Sequence, residues 1–316
     1  MKFTVPILLM TWRRPLQTSK VIKALSLIKP ENLFISCDGP IPDNPVETQK
    51  VLETRSIIER DINWKCNIQW LRQEVNLGCK LGCTTAINWF FKNVEEGIIL
   101  EDDTLPHPDF FRYCQELLEK YRTDNRVWCI SGSNFQNGNW RGDGSYYFGR
   151  FPLLWGWAGW RNIWEKYDFE LKEWPVLKDS GMLDFIFNDP LEKEYWSDIW
   201  ENLFSKGEPD TWCYQWCLKC VINNALIATP NKNLISNIGF GPDAAHTKWE
   251  EEPMSIDEGI GDIIHPTFMI RHALADQYQF DYKFGGAGIR AKRNISARIK
   301  NKIKRLLKLN NLNLQR

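Results

Sequence analysis

Gly97-Ile98-Ile99-Leu100-Glu101-Asp102-Asp103 decides the reading of this chain. A short apolar run ends abruptly in three carboxylates. The run reads as a strand of a parallel sheet, buried on both faces. Its acids then stand at the carboxyl end of the strand, the edge where open α/β sheets bind ligands. Three adjoining acids repel one another unless a cation neutralises them. Mg²⁺ and Mn²⁺ take oxygen ligands and often bridge one or two carboxylates to substrate phosphates. The pattern points to a metal-assisted site for a nucleotide diphosphate. The plain alternative is a loop of solvated acids.

Working outward, Thr104-Leu105-Pro106-His107-Pro108-Asp109 holds two prolines, which stop the strand and suit a helix start. Phe110, Phe111, Cys114, Leu117, Leu118 and Tyr121 then follow at helical spacing. On the amino-terminal side, strands and helices alternate. Val5 to Met10 reads as strand and Pro15 to Ile28 as helix. Leu33 to Cys37 is a strand closing in Asp38-Gly39-Pro40, and Pro45 to Ile62 is a helix. Ile68 to Arg72 is a strand, Leu81 to Phe91 a helix, and Val127 to Ser131 a further strand. Such alternation implies right-handed crossovers and a mostly parallel sheet. The second half is less regular and rich in tryptophan.

Leu100-Glu101-Asp102-Asp103 followed by Pro108-Asp109-Phe110-Phe111 resembles the DxD region of GT-A fold glycosyltransferases. The likeness is nearest to bacterial family 2-like sugar transferases and more distant to N-acetylglucosaminyltransferase I. It runs over most of residues 5 to 285 and rests on an ordered set of motifs. It implies an α/β GT-A fold: a mostly parallel central sheet flanked by helices, with a basic helical tail. Residues 1–135 would form the nucleotide-sugar-binding half, 136–282 the acceptor-binding and catalytic half, and 283–316 the tail.

Site residues follow from strand ends and from that resemblance. Thr11, Arg13 and Arg14 follow the first strand, and Arg suits phosphate. Asp38 ends the second strand, where an acid can accept from a nucleobase or ribose; the alternative is a turn former before Gly39. After the third strand, Asn76-Leu77-Gly78 resembles a nucleoside-contacting loop, and Arg72, Asn76 and Lys80 are the candidates there. The resemblance makes Asp103 the direct metal ligand, Asp102 a contact to ribose or a metal-bound water, and Glu101 a support. Trp155-Gly156-Trp157-Ala158-Gly159-Trp160 looks like a Gly/Trp floor for the donor sugar, with Gly156 and Trp157 as its candidates; the alternative is a packed aromatic hub. Asp210 or Thr211 should cap the helix that follows. An inverting transferase needs a carboxylate base. Asp210 is the first choice and Glu208 the second, because Cys213 stands where the family would place another acid. Asn237 to Thr247 resembles a closing loop, and its His246 would meet the metal or the diphosphate.

Composition bounds the rest. The chain has 316 residues, 43% hydrophobic and 25% charged, which suits a globular protein of one large domain or two small ones. Its 16 tryptophans concentrate between Trp140 and Trp216, and aromatic faces stack on sugar rings as well as filling cores. Nine cysteines without a leader or an 18-residue apolar run read as reduced thiols of a cytoplasmic protein. Cys213, Cys217 and Cys220 share a helix face, as do Cys79 and Cys83, and read as packed thiols in preference to zinc ligands. Net charge is zero but unevenly spread: residues 283–316 carry 11 basic side chains and no acid, leaving 29 basic against 40 acidic in the rest. Ile295, Ile299, Ile303, Leu306 and Leu307 lie at helical spacing in that tail, so it reads as peripheral contact with an anionic membrane. The acidic body argues against nucleic acid.

The expectation is a glycosyltransferase using Mn²⁺ or Mg²⁺ and a UDP-linked donor. Its acceptor would be a glycan or lipid-linked glycan, as in bacterial surface polysaccharide synthesis. One rival is a sugar nucleotidyltransferase, whose opening loop is normally Gly-rich; Pro6 to Pro15 has no glycine. Another is a non-catalytic carbohydrate-binding protein that keeps the fold.

Overall fold

The computed structural model describes residues 3–240, 256, 259–293 and 295. The first half alternates as its sequence pattern requires. Strands β1 (Ile7–Thr11), β2 (Asn32–Cys37), β3 (Asn67–Arg72) and β4 (Glu96–Glu101) are joined by helices α1 (Pro15–Ile28), α2 (Pro45–Asp61) and α3 (Gly78–Asn93). Pro15 and Pro45 sit in the first turns of α1 and α2, where their fixed φ and missing N–H cost nothing. β5 (Thr104–Pro106), α4 (Pro108–Tyr121) and β6 (Val127–Ser131) follow.

The second half adds β7 (Tyr146–Gly149), β8 (Trp157–Trp160) and three short helices: α5 (Arg161–Trp164), α6 (Trp174–Asp179) and α7 (Leu183–Ile186). Then come α8 (Pro190–Lys206), α9 (Cys213–Ile222), β9 (Leu226–Pro230), β10 (Ile235–Asn237) and α10 (Ala273–Tyr282).

Eight strands form one sheet in the order β3-β2-β1-β4-β8-β6-β9-β7. The first four are parallel; β8 runs antiparallel to both β4 and β6. The expected α/β class, a central sheet flanked by helices, is what the chain adopts. The chain lays β1, β2 and β3 outward in turn and then returns to the other side of β1 with β4. That reversal is a topological switch point, and ligands bind in the crevice outside the carboxyl ends of the two strands that flank it. Met10 pairs with Glu101 in register, so the residues after each open into the same crevice. A small antiparallel sheet, β10 on β5, pairs Asn237 with Thr104 and brings the chain after β10 alongside Asp103.

The main core packs both faces of the sheet. A second core joins α6 to α9, with Trp174, Trp196 and Trp200 at its centre and Phe284 against it. Among the described residues no helix is long and apolar enough to cross a membrane. Residues 286–293 are helical, and Arg290 and Arg293 pair with Asp189 and Glu194 beside α8. Ile299, Ile303, Leu306 and Leu307 lie outside the described residues.

Candidate active site

The loop between β1 and α1 is built to hold the acids that end β4. The Trp12 N–H donates to Asp102 Oδ2 at 3.1 Å, and the Trp12 indole donates to the Gly39 carbonyl at 2.9 Å. Arg14 Nη1 donates to Asp102 Oδ1 at 3.1 Å and also to Asp103 Oδ2. Arg13 takes another course: it stacks on Trp12 at 4.0 Å and pairs with Glu47, a buried acid of α2. The Thr11 hydroxyl donates to the Ser36 carbonyl at 3.1 Å, which ties β1 to β2.

Asp102 and Asp103 are buried. Burial pushes the Asp102 carboxyl up to about 6, with Arg14 opposing the shift and Asp103 adding to it. Burial, then the charges of Asp103 and Cys79, lift Glu101 well above the carboxylate range. Asp103 Oδ1 is buried with no hydrogen-bond partner among the described residues. The Ile238 N–H donates to the Asp103 carbonyl at 2.8 Å, and a Cβ built on Gly239 would stand 2.0 Å from Asp103 Oδ2. Gly239 is thus needed for close approach of this segment to the acid.

At the other end, Asp38 organises the loop after β3. Its Oδ1 accepts from the Gly39 and Leu77 N–H groups at 2.8 and 3.0 Å, and its Oδ2 accepts from Asn76 Nδ2 at 2.9 Å. Burial raises its pKa, with the Leu77 N–H opposing. A Cβ on Gly39 would fall 2.4 Å from the Val75 backbone, so glycine is required where the two loops touch.

Asp210 closes the ring. Helix α3 begins at Gly78 without a side-chain cap of its own. Asp210 supplies one from 131 residues away: its Oδ2 accepts from Cys79 N–H at 2.8 Å and its Oδ1 from Lys80 N–H at 3.0 Å. Of the two residues expected to cap the next helix, Asp210 therefore does not. The open N–H groups of α3 compete for the carboxylate, and Thr211 Oγ1 alone accepts from the Cys213 N–H of α9, at 3.4 Å.

These parts enclose a cavity of about 660 Å³. Of the residues expected from sequence, Thr11, Arg13, Arg14, Asp38, Asn76, Glu101, Asp102, Asp103 and Asp210 line it. Five expected residues do not. Arg72 pairs with Glu59 and stacks on Trp70 at 4.1 Å, and Lys80 sits over the Phe169 ring at 4.2 Å. Glu208 is exposed beyond the rim. Trp157 lies in β8, 1% exposed, among Phe91, Trp164 and Trp212: the hub reading holds for it, and the donor-floor reading does not. Gly156, at φ +64°, turns the chain into β8 and is packed by Ile235, leaving no room for a ligand. His246 lies outside the described residues.

Trp155 alone of the three floor tryptophans reaches the cavity, with Phe240 edge-on to it at 6.1 Å. Trp12, Cys79 and Cys83 also line it; Trp12 has no role legible in the sequence, and the two cysteines read there as packed thiols. The spacing of Cys79, Gly82 and Cys83 along one face of α3, just after the Asn76 loop, is the signal that marks that wall. Burial pushes the Cys213 thiol up to about 12, with the neighbouring Thr211 hydroxyl opposing the shift, so the thiol stays protonated.

Among the described residues no group of three or more His, Cys, Asp or Glu side chains is placed to hold a divalent ion. Asp103 has a buried oxygen without a partner, and Asp102 stands beside it. That set fits an ion held by one or two carboxylates and completed by substrate phosphates.

No protein-family model matches the chain, and neither does any curated protein. Among solved structures it is similar to a mannosyltransferase, PcManGT from Pyrobaculum calidifontis in complex with GDP-Man and Mn²⁺: 10% identity, 53% of this chain, TM-score 0.34. The chain spans about half of that protein, 49%. It is also similar to a UDP-glucose pyrophosphorylase complexed with UDP-glucose, at 10% identity over 72% of this chain and 90% of that one, TM-score 0.37. A third likeness is HddC from Yersinia pseudotuberculosis, at 11% identity over 54% and 86%, TM-score 0.33. At these scores the likenesses add nothing to the site geometry described above.

Proposed function

We propose that the chain is a GT-A type glycosyltransferase. It would move a sugar from a nucleoside-diphosphate donor, UDP-linked, to a glycan or lipid-linked glycan acceptor, with inversion. The carrying observation is the charge and placement of the cavity at the β1/β4 switch point. Its lining holds five carboxyl groups, Asp38, Glu101, Asp102, Asp103 and Asp210, against two guanidiniums, of which Arg13 is committed to Glu47. A diphosphate adds further negative charge to that crevice. It can enter only with a cation, and the Asp102–Asp103 pair is the place for one.

Asp103 and Asp102 would hold the Mn²⁺ or Mg²⁺, which serves as a Lewis acid and template for the diphosphate leaving group. Asp38 and Asn76 form a rigid polar pair at the opposite end, suited to a nucleobase or ribose. Trp155 and Phe240 give apolar faces for a sugar ring. Asp210 is the carboxylate at the rim of the cavity, and each of its oxygens keeps acceptor capacity beyond its one N–H bond. It is therefore the proposed base, ahead of Glu208, and the protonated Cys213 thiol is not. The basic tail would place the protein on an anionic cytoplasmic membrane surface, near a lipid-linked acceptor.

A second reading, a carbohydrate-binding protein that keeps the fold, is favoured by one observation: both oxygens of Asp210 already serve α3. Nucleotide release from UDP-, GDP-, CMP- and dTDP-sugars, with Mn²⁺ and then with EDTA, tests the proposal. Metal-dependent release of a nucleoside diphosphate supports it. Pyrophosphate release from a nucleoside triphosphate and a sugar 1-phosphate would select nucleotidyl transfer, and donor affinity without release would select the binding protein. Asp103→Ala should abolish metal-dependent donor binding in calorimetry; unchanged affinity would sink the metal role.

A further inference from the structure

The loop after β1 places one cation where the proposed reaction needs another. Arg14 bridges Asp102 and Asp103, and the pair is not a surface one: the Arg14 side chain is 12% exposed and the two carboxylates 7% and 11%. The guanidinium therefore neutralises the same carboxylates assigned above to the divalent ion. A divalent ion on the same carboxylates would stand beside the Arg14 guanidinium, and two cations repel at contact distance. Arg14 also satisfies Asp103 only in part, since Oδ1 is left buried and without a partner among the described residues.

We propose that Arg14 is a positioning residue that makes divalent-ion binding conditional on the donor diphosphate. This rests on the transferase reading. An ion arriving alone must either sit against the Arg14 charge or displace it and leave a buried guanidinium unpaired, and both are unfavourable. A diphosphate entering the same cavity offers that guanidinium a bidentate anionic partner. Arg14 then turns from carboxylates to phosphate, and the carboxylates pass to the ion. Arg13 cannot substitute, because it is held by Glu47 and stacked on Trp12. Linkage is reciprocal, so the ion tightens diphosphate binding by the same factor that the diphosphate tightens ion binding. The consequence for the reaction is order: the free protein resists loading by ions alone, and the site assembles only around a complete donor.

The test is Mn²⁺ binding by electron paramagnetic resonance and calorimetry, without turnover. Wild type, Arg14→Gln and Arg14→Lys are each titrated alone, with pyrophosphate, and with UDP. Removing the competing guanidinium should tighten binding of Mn²⁺ alone by about 10-fold or more, within the usual range of site coupling. The enhancement of Mn²⁺ binding by diphosphate should shrink by the same factor in Arg14→Gln. Arg14→Lys keeps the charge and guards against misfolding: it should bind Mn²⁺ alone no tighter than wild type does. Equal Mn²⁺ affinity of wild type and Arg14→Gln in the absence of diphosphate overturns the proposal and leaves the donor reading standing. Failure of all three proteins to bind Mn²⁺ even with UDP or pyrophosphate overturns both.

Discussion

Gly239→Ala adds one methyl group at the point where the chain after β10 touches Asp103, the proposed metal ligand. The new Cβ would stand 2.0 Å from Asp103 Oδ2 and 2.7 Å from both the Cβ and the Cγ of Asp103. Cβ contacts below 3.0 Å are essentially never seen, so the oxygen or the loop must retreat by about 1 Å. The whole side chain is blocked and not just its tip, so rotation of the carboxylate alone does not relieve the clash. The backbone cannot move freely either, because Ile238 N–H holds the Asp103 carbonyl at 2.8 Å and Gly239 N–H donates to Asn237 Oδ1 at 2.8 Å. Overpacking of this kind costs about 1–3 kcal/mol. A misplacement of about 1 Å at a reacting group lowers rate by about 10²-fold. The expected outcome is a folded protein with a modestly lower melting temperature, Mn²⁺-dependent UDP binding weakened at least about 10-fold, and turnover lowered about 10²-fold. Gly288→Ala is the control: nothing lies within 4 Å of its Cβ. It sits in a helical stretch, where alanine is favoured by up to about 1 kcal/mol. Calorimetry with Mn²⁺ and UDP reads the first effect, and nucleotide release reads the second. Wild-type affinity and turnover in Gly239→Ala would refute the claim that this glycine exists to let Asp103 be reached.

Asp210→Ala should lower stability by about 1 kcal/mol through the lost cap on α3, whatever its chemistry. Asp210→Asn keeps one acceptor oxygen and should fold and bind donor while losing turnover at least about 10²-fold; retained turnover moves the base to Glu208. Glu192 makes a buried pair with Arg150 at 3.0 Å, and burial raises its pKa to about 7 in the fold against 4.5 as the ordinary value. Because the folded value is the higher one, this group contributes stability that is full below pH 4.5 and is lost as pH rises through about 7. Urea denaturation of wild type and Glu192→Gln across that range should show stability profiles that diverge by an amount on the order of 3 kcal/mol, and parallel profiles would contradict it. Removal of residues 295–316 should release the protein from anionic liposomes without altering activity on a soluble acceptor; equal co-sedimentation would leave the tail with another role.

The elements that sequence reading located well are those whose signals are local. Helix α1 begins and ends where its apolar spacing and Pro15 put it, and β6 spans Val127–Ser131 as read. Helix α3 was placed late, from Leu81, because its true start at Gly78 is completed by Asp210 and not by any neighbour in sequence. The strands of the second half leave no local signal, for a related reason. β7 and β8 are four residues each, too short for periodicity to distinguish from loop. β8 enters the sheet antiparallel between β4 and β6, a pairing that no local pattern encodes.

The site residues divide along the same line. Four of those that fell outside the cavity, or entered it with their charge already spent, found a partner distant in the chain. Arg13 is paired with Glu47, Arg72 with Glu59, Lys80 lies on Phe169, and Trp157 is locked among aromatic rings of α3, α5 and the segment before α9. Residue type and strand-end position told which side chains could face the crevice. They could not tell which would be recruited to hold it together, since that depends on competition among partners brought close only by folding. Among the described residues, Arg14 is the one cation paired with the acids at the end of β4. Burial of three carboxyl groups with one guanidinium is stable only if some are protonated or a further cation arrives. The rise of Glu101 and Asp102 from the ordinary carboxylate range is the first response, in the free protein. On the proposed function, a divalent ion accompanied by a diphosphate would be the second. The same shortage of positive charge that makes the motif conspicuous in sequence would then make the folded site a receptor for cation and donor together.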